Sequence, residues 1–116
     1  MQMTRSLACE WGHYKIRVNS LSPGYIASPL PKERYEKDPA SLRVIEQQNP
    51  LGRISLPEEY RGAVVFMLSD ASSFMTGSDL IMDGGISLFA HETNCRSSSL
   101  VMIYIPSKNE DLCLAL

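Results

Sequence analysis

The chain has 116 residues, 44% of them hydrophobic and 21% charged, which is the ordinary range of one globular domain and excludes a wholly disordered or collagen-like chain. Eleven Lys and Arg against thirteen Asp and Glu give a formal net charge of −2, spread evenly, so there is no electrostatic footprint for nucleic acid or anionic lipid. No apolar stretch approaches the roughly 20 residues of a spanning helix, and the opening Met1-Gln2-Met3-Thr4-Arg5-Ser6 lacks the apolar core of a secretory signal, so the expected compartment is the cytoplasm.

Met3, Leu7, Ala8 and Trp11 fall on one face of a helix, and Gly12 follows where a left-handed cap is wanted. No capping residue precedes this run, and the start reads as cut from something longer. Cys9 is expected to be a small buried hydrophobe on that helix. Ile16-Arg17-Val18-Asn19-Ser20-Leu21 alternates apolar and polar residues as a strand does, and Ser22-Pro23-Gly24 ends it. Residues 27–50 hold Pro29, Pro31, Pro39 and Pro50, the charged cluster 32–38, and one short helical candidate at 42–47. That stretch reads as a mobile, mostly exposed functional loop.

Ser55-Leu56-Pro57-Glu58 reads as a capping box with proline at the first helical position. The helix it opens carries Tyr60, Val64 and Met67 on one stripe and Val65 and Leu68 on another, so much of its circumference is expected to be covered. Ser69 to Ser73 closes it, Thr76-Gly77 turns, and Leu80-Ile81-Met82 is a short buried strand stopped by Asp83-Gly84-Gly85. Strand, loop, helix, strand is a right-handed parallel crossover, and the class is α/β. Residues 91–116 differ in character. Their uncharged run Leu100 to Ile105 is either an added strand or an aggregation-prone window.

Taken together, Leu7-Ala8-Cys9-Glu10-Trp11, Ile16 to Ser20, Pro23-Gly24-Tyr25-Ile26-Ala27-Ser28, Pro57-Glu58-Glu59-Tyr60, Ser69 to Ser72 and Thr76-Gly77 to Asp83-Gly84-Gly85 resemble the C-terminal part of a classical short-chain dehydrogenase/reductase. The resemblance covers residues 1–90, in the manner of the fungal polyol and ketose members, and leaves 91–116 as an atypical tail. It implies the C-terminal portion of a doubly wound, Rossmann-type parallel sheet, with NAD or NADP across the carboxyl ends of its strands. By that resemblance Pro23, Gly24, Tyr25, Ile26 and Ser28 bind the cofactor. The Ile26 backbone would meet the nicotinamide carboxamide, and Ser28 the amide or the pyrophosphate. Without it, the same stretch is an ordinary strand-ending turn. Residues 29–50 would cover the substrate, a polyol or ketose. Helix 57–68 and strand 80–82 resemble elements through which family members form homo-oligomers, although an intrachain core explains the apolar helix equally well. Strands 16–21 and 80–82 would be neighbours with one open apolar edge, through which the chain is expected to associate unless residues 100–105 fill it.

The family's chemistry is otherwise missing. None of the seven glycines stands two residues from another, so there is no Gly-x-x-x-Gly-x-Gly to cradle a diphosphate. The single Tyr-x-x-x-Lys, Tyr104 to Lys108, follows the cofactor segment and contains Pro106, which breaks the helix that would align the pair. No residue is therefore assigned a catalytic role. Cys9, Cys95, Cys113, His13 and His91 are too scattered for a metal site or a disulfide framework. Two readings stand: a fragment of an NAD(P)-dependent oxidoreductase, inactive by itself, or a non-catalytic interaction protein that docks on full-length relatives. The choice between NAD and NADP lies with residues after the family's second strand, which this chain does not contain.

Overall fold

A computed structural model describes residues 2–27, 37–89, 100–105 and 112–115. Its elements run α1 (Gln2–Trp11), β1 (Arg17–Pro23), α2 (Pro39–Gln48), α3 (Arg61–Met67), β2 (Asp79–Met82), α4 (Ile86–Phe89), β3 (Leu100–Ile105) and β4 (Leu112–Ala115), with 3-10 turns at Gly12–Tyr14, Pro57–Tyr60 and Asp70–Ser72. The strands form one sheet in the order β2-β1-β3-β4. The chain divides into two compact units, Met1–Ser22 with Arg61–Ile81 and Ser99–Leu116, and Pro23–Tyr60 with Met82–Ser98.

In the first unit β1 and β2 run parallel, the Gly77 N–H donating to the Val18 carbonyl at 2.7 Å and the Ser20 N–H to the Ser78 carbonyl at 2.9 Å. β3 lies antiparallel on the other edge of β1, with Arg17 opposite Tyr104 and Leu21 opposite Leu100. The core is Ala8 of α1 with Val18, Val101 and Ile103, flanked by Leu7, Trp11, Ile16 and Ile105.

The face of α1 turned inward is centred on Thr4 and Ala8, at 1% and 7% exposure, while Met3 is 52% exposed. Cys9, expected buried, is exposed, because at about 100° per residue it lies one step round the helix from Ala8 and away from Thr4. The left-handed residue after α1 is Lys15 (φ 64°) and not Gly12, since the 3-10 turn carries the chain three residues further before it reverses.

β1 is buried on both faces, its polar residues included. The Arg17 guanidinium donates to the carbonyls of Met67 (2.9 Å), Ser69 (3.2 Å) and Met75 (3.2 Å), and Asn19 Nδ2 donates to the Met75 carbonyl at 2.9 Å. Arg17 thus satisfies carbonyls that the end of α3 leaves without helical partners. Ser20 and Ser22 hydroxyls both donate to Asp79 Oδ1, at 2.6 and 2.8 Å. β2 is only half-buried and Ile81 is 52% exposed, which corrects the expectation of a buried strand. On α3 Met67 is buried, but Val65 and Phe66 are 67% and 42% exposed, so of the second apolar stripe Val65 is uncovered while Leu68 is half-buried.

In the second unit α2 is longer than the 42–47 candidate. Asp38 accepts from the Ser41 N–H at 3.4 Å and Pro39 occupies the first turn, so the helix starts three residues earlier. The segment after residue 55 also differs from expectation, since Pro57–Tyr60 is a 3-10 turn and the α-helix begins only at Arg61. The capping carboxylate is Glu59, not Glu58, and it accepts from the Leu56 N–H at 2.8 Å. The Ser55 hydroxyl caps nothing, being directed to the Tyr25 carbonyl at 2.8 Å.

Candidate functional site

The site of interest lies within the second unit, where the chain leaving β1 meets the chain leaving β2. A cavity of about 210 Å³ opens there, lined by residues that include Gly24, Tyr25, Ser55, Tyr60, Met82 and Asp83. Gly24 is set by close approach: its N–H donates to the Met82 carbonyl at 3.1 Å, and any Cβ would collide with the backbone of Asp83.

Tyr25 and Ala27 are fastened to Ser55. The Ser55 N–H donates to the Tyr25 carbonyl at 2.9 Å and the Ala27 N–H to the Ser55 carbonyl at 2.8 Å, which makes Ile26 and Ser55 an isolated parallel bridge. Backbone groups alternate in direction along an extended chain, so the N–H and C=O of Ile26 point away from Ser55. This leaves one amide and one carbonyl on the opposite side of the segment. Pro23 ends β1 immediately before this arrangement. Ser28, the remaining candidate cofactor residue, lies outside the described residues.

Side chains to which sequence reasoning gave no part in the site hold the cavity wall. The Tyr60 hydroxyl and Ser55 Oγ are 2.6 Å apart, and the Tyr60 hydroxyl donates to the Met82 carbonyl at 3.2 Å. Asn49 accepts from the Leu51 N–H and donates to the Arg53 carbonyl, both at 2.9 Å. Arg53 meets Glu59 with two nitrogens at 2.7 and 2.5 Å, and that pairing, with the Leu56 N–H, brings the Glu59 carboxyl down to about 2. Asp83 is also held below the usual carboxylate range. Partial burial opposes its charge, but bonds from the Ser87 side chain and from the Gly85 and Ser87 amides outweigh that.

The polar side chains of this wall, Ser55, Tyr60, Asn49, Arg53, Glu59 and Asp83, are engaged with one another or with backbone. Their chemistry is that of a scaffold that fixes segment 23–27. Tyr104 sits in β3 and not on a helix, with the Arg17 guanidinium 4.6 Å from its ring centre, while Lys108 lies outside the described residues. Among the described residues no three His, Cys, Asp or Glu side chains gather as metal ligands, and no helix is long and apolar enough to cross a membrane.

Residues 1–87 match a family model described as enoyl-(acyl carrier protein) reductase. The chain belongs to the short-chain dehydrogenase/reductase family. It is 43% identical over 86 residues to the D-arabinitol 2-dehydrogenase (ribulose-forming) of Candida tropicalis, covering 73% of this chain and 30% of that one. It is 44% identical over 86 residues to the NADH-dependent L-xylulose reductase of Ambrosiozyma monospora, covering 73% and 32%. Among solved structures, a gluconate 5-dehydrogenase from Burkholderia cenocepacia, in complex with NADP and tartrate, superposes with a TM-score of 0.70 at 32% identity, covering 75% of this chain and 34% of that one. The fold is therefore a portion of the Rossmann-type α/β fold, and the chain spans about a third of the length of these relatives.

Proposed function

We propose that this chain is the C-terminal portion of an NAD(P)-dependent oxidoreductase of the cytoplasm that interconverts a polyol, or another secondary alcohol, with its ketone. The substrate class is supported by the sugar and polyol enzymes at 43% and 44% identity. The observation that carries the cofactor role is the geometry of Ile26, whose amide and carbonyl are turned away from Ser55 on a segment fixed at Gly24, Tyr25 and Ala27. Pro23, Gly24, Tyr25 and Ile26 form the edge that receives the nicotinamide carboxamide, and the family resemblance alone adds Ser28 to them. Bound in the whole enzyme, the nicotinamide supplies or accepts the hydride. This chain's own part is to orient the ring and hold one wall of its site. The residues fit that end of the cofactor alone, because no Gly-x-x-x-Gly-x-Gly is present for the diphosphate.

The isolated chain is accordingly inactive. Purified protein assayed by nicotinamide absorbance against polyols and ketoses stays at the blank rate. Turnover that disappears in Tyr104→Phe would overturn this. A second reading, a non-catalytic protein that docks on full-length relatives or on itself through residues 57–68 and 80–82, is favoured by the exposed Val65, Phe66 and Ile81. Light scattering on the chain alone and mixed with a full-length relative separates the two.

A further inference from the structure

The family match ends at residue 87, yet the strand that completes the sheet beside β1 is drawn from residues 100–105. The two edges of β1 are used differently. The Val18 N–H is committed to Thr76 Oγ1 at 3.1 Å and the Ser20 N–H to the Ser78 carbonyl at 2.9 Å, both on the β2 side. By the alternation of backbone groups, the amides of Arg17, Asn19 and Leu21 face β3, opposite Tyr104, Met102 and Leu100. Between the exposed Leu100 and the half-buried Ile105, the side chains of β3 are buried on both faces. Val101 and Ile103 enter the core beside Ala8 and Val18, while Met102 and Tyr104, at 4% and 9% exposure, fill the other face with the Arg17 guanidinium against the Tyr104 ring. The segment Leu-Val-Met-Ile-Tyr-Ile carries no charge, glycine or proline.

We propose that this edge of β1 is a strand-acceptor site, with Leu100–Ile105 as its resident donor. The ligand class is an antiparallel β-strand that is apolar on both faces and places an aromatic ring opposite Arg17. Main-chain pairing holds the strand, and the sockets for Val101, Ile103 and Tyr104 select it, as in recognition by strand addition. The chain thereby closes an edge that would otherwise template pairing with another molecule. The same sequence supplied in trans takes the place of the resident strand.

Amide hydrogen exchange on the full chain carrying Met102→Pro tests this, because proline removes the N–H that faces Asn19. Relative to the unsubstituted chain, Asn19 and Leu21 lose protection by about tenfold or more, and a synthetic peptide of residues 98–106 added in trans restores it. The same peptide carrying Ile103→Asp does not. Ser20 and Gly77, which bond on the β2 side, report whether the rest of the unit stays folded. Should they lose protection as well, the peptide must still restore Asn19 and Leu21. Unchanged protection in Met102→Pro, or no recovery at saturating peptide, overturns the proposal.

Discussion

A Cβ placed on Gly24 would stand 2.8 Å from both the α-carbon and the carbonyl oxygen of Asp83, which is closer than real Cβ contacts come. Both neighbours are backbone, so no side chain can move aside. Gly24→Ala must push apart the segments that form the cavity wall, and a loss of about 1–3 kcal/mol is expected from such overpacking. Urea unfolding measures it. A neutral substitution would show that the two segments are not in contact.

The Arg53 and Glu59 pair gives a pH signature. The Glu59 carboxyl lies at about 2 in the folded chain against an ordinary 4.5, chiefly through its bonds from Arg53. A depressed folded pKa contributes stability that is complete above the ordinary value and fades as pH falls from about 4.5 toward about 2. The pair is exposed, so salt screens it. Carboxyl chemical shifts followed by NMR should place the Glu59 midpoint well below the other glutamates, and Arg53→Ala should raise it toward their range, the Leu56 N–H still holding it somewhat down. A midpoint near the ordinary value in the unsubstituted chain would contradict the pairing.

Tyr60→Phe removes the hydroxyl that meets Ser55 Oγ and the Met82 carbonyl. Ser55 keeps the Tyr25 carbonyl as a partner, so the expected loss is about 0.5–1.5 kcal/mol and not a collapse. Thermal unfolding of the two proteins side by side decides it, and an unchanged midpoint would show that the hydroxyl holds nothing.

Cys9 offers a direct check on the inward face of α1. Its exposure predicts that maleimide labels it in the folded chain at close to the rate of a free peptide thiol, read by mass spectrometry of the peptide that contains it. Labelling that requires denaturant would place Cys9 inside.

Local signals in the sequence were enough for some elements and not for others. Ser22-Pro23-Gly24 announced a strand end, and the run Ser55 to Glu58 with Pro57 inside it announced a helical start. The box pattern named Glu58 as the capping acid and was wrong by one residue, because only three-dimensional geometry directs Glu59 to the Leu56 N–H. Arg17 read only as a polar residue of an alternating strand. Its burial depends on the carbonyls of Met67, Ser69 and Met75, at least fifty residues away, which no local pattern encodes. Tyr60 was legible as a core residue and Ser55 was misread as a cap, and neither was legible as the clamp on segment 25–27, since Tyr25 lies thirty residues before Ser55.

The central claim is that residues 23–26 present the nicotinamide edge while the remainder of the cofactor site lies outside this chain. Titration of the isotope-labelled chain with NADH, followed by backbone amide shifts, tests it most directly. The account predicts shifts centred on the Ile26 amide and its neighbours Gly24 and Tyr25, with a dissociation constant weaker than about 1 mM, because only a few hydrogen bonds at about 1 kcal/mol each remain. Micromolar binding, or saturable shifts elsewhere that leave residues 24–26 unmoved, would contradict it.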